Sequence, residues 1–130
     1  MPLPTGTWIT SIGGKRQSLE IISVDDSGQV VGQVRLLPDA LISLYGVWDE
    51  DGQKLTLVGS QGQGGEGEVP APFMATAYLF SDPINLTGVT GDVIFTLCGQ
   101  IEYFALNDLF GLSPSARRSA FGWYAQIAID

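Results

Sequence analysis

The chain has 130 residues, 45 % hydrophobic and only 15 % charged, with a formal net charge of −8. That length predicts one domain with its own core, and so low a charged fraction, against about 25 % in ordinary domains, implies a surface partly covered by another subunit. The six bases, Lys15, Arg16, Arg35, Lys54, Arg117 and Arg118, form no stripe, so neither nucleic acid nor an anionic membrane is expected as a partner.

The first predicted strand, Gly6 to Ile12, alternates Trp8, Thr10 and Ile12 against Ile9 and Ser11. Gly13-Gly14-Lys15-Arg16 makes a turn. Ser18 to Val24 is the second strand, with Leu19 and Ile21 on one face and Glu20, Ile22 and Val24 on the other. Asp25-Asp26-Ser27-Gly28 is a hairpin turn whose glycine can take positive φ. Gln29 to Leu37 follows, with Gly32 where a bulge or barrel bend is expected. Leu41 to Trp48 and Lys54 to Ser60 flank the turn Asp49-Glu50-Asp51-Gly52.

Gln61 to Pro72 is glycine-rich and reads as a loop. Phe73 to Phe80 is the sixth strand, followed by a turn-rich stretch from Asp82 to Asp92. Val93 to Leu106 is read as one long strand bulged at Gly99-Gln100. Ser113-Pro114 carries the start signal of a short helix. Phe121 to Ile129 is the last strand. Eight sequential strands with short connections predict an all-β fold, a single-domain, eight-stranded antiparallel up-and-down β-barrel. Closure removes the sheet edges and leaves an interior for side chains or one small ligand.

The chemistry of the chain narrows its function. The absence of histidine excludes His-based catalysis and His-rich zinc sites, and the single Cys98 forbids an internal disulfide or a thiolate cluster. The acidic turns read as solvated hairpin tips rather than calcium loops, which need more oxygen ligands at fixed spacing. The 61–72 stretch lacks the Lys-Ser/Thr ending of a phosphate cradle. Asn85-Leu86-Thr87 fits a glycosylation acceptor, a tripeptide common by chance. Glu102 in an apolar strand is the one candidate acid or base, without a partner in sequence. No enzyme activity and no cofactor are expected. No run of about 18 apolar residues spans a membrane. Met-Pro-Leu-Pro-Thr-Gly lacks the pattern of a signal peptide, so a cytoplasmic protein is expected, secretion after removal of a leader being the alternative.

Gly6-Thr7-Trp8 with Ile12-Gly13, then Ser27-Gly28, Gly32, Leu44-Tyr45-Gly46 and Trp123, resembles the avidin and streptavidin type of biotin binder. Gly-x-Trp also opens lipocalin and small metalloprotease-inhibitor barrels. The resemblance implies that Thr10 falls on a polar position bonding the biotin ureido group and Ile12 on an apolar wall. Gly14, Val34 and Leu36 fall on positions that have lost their hydroxyls, and residues 55–59 lack a tryptophan. Phe104 corresponds to a seventh-strand tryptophan, and Trp123 to the one that the family lends to a neighbouring subunit. The last polar contact would lie beyond Asp130. A site stripped of its donors loses affinity steeply, so tight biotin binding is not expected.

The expected function is a small-molecule binding barrel whose largely apolar ligand meets Trp8, Thr10, Ile12, Val34, Leu36, Phe104 and Trp123. The alternative is an interaction or inhibitor barrel in which these residues fill the core; an inhibitor would insert its N-terminus or the 61–72 loop. Strands apolar on both faces, such as Val30 with Val31 and Ile21 with Ile22, predict a homo-oligomer, dimer or tetramer, packed through the outer wall.

Overall fold

The computed structural model describes residues 1–12, 15–36, 40–61, 71–81, 87–109 and 113–129. Eight strands form a closed antiparallel barrel: β1 (Gly6–Ile12), β2 (Lys15–Val24), β3 (Gln29–Leu36), β4 (Ala40–Asp49), β5 (Lys54–Gln61), β6 (Ala71–Ser81), β7 (Val93–Leu109) and β8 (Ser113–Ile129). Each pairs with the next, and β1 meets β8 from Ile9↔Gln126 to Ile12↔Trp123 to close the cylinder.

The alternation of the sequence becomes the wall. In β5 Leu55 and Leu57 are buried while Val58 is exposed; in β6 Phe73, Ala75, Ala77 and Leu79 point inward and Met74, Tyr78 and Phe80 outward. A pleated strand turns successive side chains to opposite faces, so period two in apolarity sorts residues between core and outer wall.

The turn after β2 follows its sequence. Gly28 has φ of 88°, and Asp25 Oδ1 accepts from Ser27 N (2.9 Å), Ser27 Oγ (2.7 Å) and Gln29 N (2.8 Å). An aspartate that bonds its own turn takes over the donors that the hairpin leaves free.

Three local expectations are corrected. The helix signal at Ser113-Pro114 lies in β8, where Ser113 pairs with Leu109 and Pro114 with Asp108. Pairing with β7 outweighs the cap, and β1 reaches β8 only from Trp123 onward, so this part of β8 has an edge that β1 does not share, the kind of strand that tolerates proline. β7 runs without a bulge at Gly99, whose pairing with Ala77 and Trp123 keeps register on both sides. A Cβ at Gly99 would overlap Thr76 O, so this glycine permits close approach of β6 rather than an extra residue. The bulge lies in β2, between Ile21 and Ser23, opposite Gly32 of β3. It turns Ile22 and Ser23 outward and returns Val24, expected on the face of Ile22, to pack against the core.

The two ends of the barrel differ. At the end holding the β2–β3 and β4–β5 turns, Leu3 from the lead-in folds over the opening and Trp8 is fully buried, its Nε1 donating to Pro4 O at 3.2 Å. Trp48 closes the same end and donates from Nε1 to Glu50 Oε2 at 2.6 Å. At the opposite end, the connections 13–14, 37–39, 62–70 and 110–112 lie outside the described residues.

Candidate functional site

Inside the barrel, toward the end opposite the Leu3 plug, the inner faces of the strands leave a cavity. Its wall comes from Thr10 and Ile12 of β1, Leu19 of β2, Val34 of β3, and Trp123 of β8, with Phe73 of β6 and aliphatic side chains of β4 to β7 completing it. About 30 Å³ is free inside it, room for one or two waters or the slender part of a small molecule.

The wall is apolar because the inward positions are leucine, isoleucine, valine, alanine and aromatics, and only two of its side chains carry polar atoms, Thr10 and Trp123. Thr10 is 1 % exposed and its hydroxyl donates to Tyr124 O at 2.8 Å across the β1–β8 seam. The proton is thereby committed, and the oxygen lone pairs remain as acceptors. Trp123 is 6 % exposed, and its Nε1 has no acceptor among the described residues. Register places Ala77, Gly99 and Trp123 side by side on the inner face, two small residues beside the indole. Gln17 pairs with Thr10 on β2, and its buried Oε1 is also without a donor among the described residues.

Of the residues singled out in sequence, Thr10, Ile12, Val34 and Trp123 converge on this cavity. Trp8 does not: it sits at the plugged end as core. Trp123 lines the cavity of its own barrel. The side chains of Leu36 and Phe104 lie outside the described residues. Leu19, Leu44, Leu57 and Ile101 belong to the wall and were missed, although the inward phase of each strand could have named them. Glu102, the candidate acid or base, is on the outer face and does not line the apolar cavity.

A larger cleft of about 530 Å³ opens at the plugged end between Leu3, Val24, Trp48 and the acidic turns. Two of its acids, Asp25 and Glu50, are already engaged. Hydrogen bonds from the Ser27 hydroxyl and then the Gln29 amide hold Asp25 below its ordinary pKa. The Trp48 indole, then the N-terminal ammonium 3.1 Å away, do the same for Glu50. No group of three His, Cys, Asp or Glu able to hold a metal occurs among the described residues.

The outer wall is divided. Over β8 and β1 a segment after β6 lies like a strap: Thr87 N and Oγ1 both donate to Gln126 Oε1 at 3.0 Å, and Gln126 Nε2 donates to Thr96 Oγ1 at 3.0 Å. Arg16 Nη2 holds Thr87 O at 2.9 Å. Gln126 is thus fully buried although it points away from the barrel axis. Across β3 to β6 the wall is bare, and register aligns Val31, Tyr45, Val58 and Met74 in one exposed row, with Val47 and Tyr78 beside it. No family model, no curated protein and no solved structure matches the chain.

Proposed function

We propose that the protein is a non-catalytic, avidin-like binding barrel that holds a small, largely apolar ligand between Thr10 and Trp123, does not bind biotin tightly, and assembles with copies of itself through β3 to β6. The observation that carries this reading is the asymmetry of the interior. One end is packed shut by Leu3, Trp8 and Trp48, while the other half keeps an apolar cavity walled in part by Trp123, whose buried indole N–H has no acceptor among the described residues. A barrel built only as a scaffold has no use for a buried donor without an acceptor.

The exposed row from Val31 to Met74 supports self-association. The protein carries a net charge of −8, so two copies approach most easily through a row that itself holds no acid. The strap over β8 and β1 leaves β3 to β6 as the apolar surface for that contact.

The narrowness of the cavity favours a second reading, an interaction barrel with a filled core and no ligand. Native mass spectrometry of gently purified protein separates the two. A dimer or tetramer carrying extra mass is the expected result. An oligomer of bare mass supports the filled core, and a monomer overturns self-association.

A further inference from the structure

We infer that the far end of the β7–β8 hairpin is an assembly arm. Its β7 edge, Phe104 to Leu109, adds antiparallel to the same edge of a second copy, centred on Leu106, and joins dimers into tetramers. The inference rests on the self-association through β3 to β6 proposed above and extends it.

The arm begins where the barrel wall stops. β6 pairs with β7 as far as Phe73↔Tyr103. Ala71 and Pro72 of β6 then stay with β5, opposite Gln61 and Ser60, and Pro72 has no N–H to offer β7. β1 pairs with β8 no further than Ile12↔Trp123. The hairpin nevertheless runs on, from Phe104↔Arg118 to Leu109↔Ser113. Among the described residues, 104–109 pair with β8 alone. The other side of β7 is there an open strand edge, whose amides and carbonyls can take a further strand.

The two edges of the arm differ. The β8 edge carries Pro114 and the adjacent Arg117 and Arg118, residue types that block strand addition. The β7 edge, Phe-Ala-Leu-Asn-Asp-Leu, has no proline and a single charge, Asp108. Symmetry limits the register. Two identical edges pair antiparallel about a two-fold axis normal to the sheet, and their pleats stay in phase only when paired positions are of equal parity. Centring on Leu106 pairs Phe104 with the partner's Asp108. That aspartate then aligns with Phe104 and, one strand further, with Arg118, about 10 Å away across the sheet. Centring on Asn107, the other register of equal overlap, aligns Asp108 with Leu106 and Ala116 and meets no base. Charge therefore selects the first register and a second copy as the occupant. Each contact aligns Arg118 with Asp108 twice, in a protein whose net charge of −8 otherwise drives copies apart. A strand pair this short covers less than the roughly 1,000 Å² of a stable interface. It holds where dimers formed through β3 to β6 bring two such contacts to bear at once.

Sedimentation velocity and native mass spectrometry of the full chain test the arm. The expected wild-type species is a tetramer. Leu106→Lys sets like charges opposite each other at the two-fold axis and is expected to leave dimers. Arg118→Glu alone and Asp108→Lys alone are each expected to weaken the joining of dimers by about tenfold or more. The two together are expected to restore it, which a loss of folding would not do. A tetramer indifferent to Leu106→Lys, or charge reversals without mutual rescue, overturns the arm contact. A wild-type dimer that Leu106→Lys leaves intact also overturns it and keeps the contact through β3 to β6. A wild-type dimer that Leu106→Lys splits keeps the arm and overturns the wall contact. A wild-type monomer overturns both.

Discussion

At the scale of single residues, the acidic turns that crown the plugged end are structural. Asp25 and Glu50 are both held below their ordinary values, 3.8 and 4.5, by hydrogen bonds to their charged forms. A depressed carboxylate pKa adds stability that is fully present above the unfolded value and is lost as pH falls through the folded one. The plugged end is therefore expected to loosen below about pH 4, within the acid range set by these shifts. Asp25→Asn combined with Glu50→Gln should flatten the dependence of the unfolding midpoint on pH between about 5 and 2 while leaving it little changed in shape above; thermal melts across that range check it. Residue identity in the cavity was half legible. Period two put Trp8, Thr10 and Ile12 on one face, and all three do face inward. Alternation states which face a side chain takes, not how far along the barrel axis it lies, so Trp8 read as lining and turned out to be plug.

At the scale of elements, strands with strong alternation were legible because burial of one face enforces a register. What was not legible came from partners distant in sequence. The start signal at Ser113-Pro114 is local, whereas the ladder from Leu109↔Ser113 to Val93↔Ile129 is a hairpin that binds the whole segment as strand. The bulge in β2 leaves no mark in β2 itself, and its trace is Gly32 on the strand opposite. The strap is a third case: a glutamine in an outward position of β8 reads as solvated, yet Gln126 is buried beneath Thr87. Gln126→Ala removes the acceptor of Thr87 N and Oγ1 together with the donor to Thr96. A loss of about 1–3 kcal/mol is expected, read by denaturant unfolding, with faster amide exchange at Thr87 marking release of the strap.

At the scale of the molecule, the barrel presents two outer surfaces of different character, a strapped polar one and a bare apolar one. Tyr45→Glu places a charge in the middle of the bare row, since Tyr45 pairs with Val31 on one side and Val58 on the other. Sedimentation should then show monomer, and because the side chain is already 58 % exposed, the unfolding free energy of the monomer should change by no more than about 0.5 kcal/mol. The seam has a kinetic consequence. Every other strand pair joins neighbours in sequence, but β1 must find β8 across almost the whole chain, and it does so over the short run from Ile9 to Ile12. Non-local closure of this kind is costly in loop entropy and comes late. The cylinder therefore forms as a curling open sheet whose last act is to zip, and the Thr10–Tyr124 bond is among the latest contacts made. Thr10→Val should accelerate unfolding while the refolding rate hardly moves, as a chevron plot would show. The same four-residue zip is where the wall would part first under stress, next to the indole of Trp123.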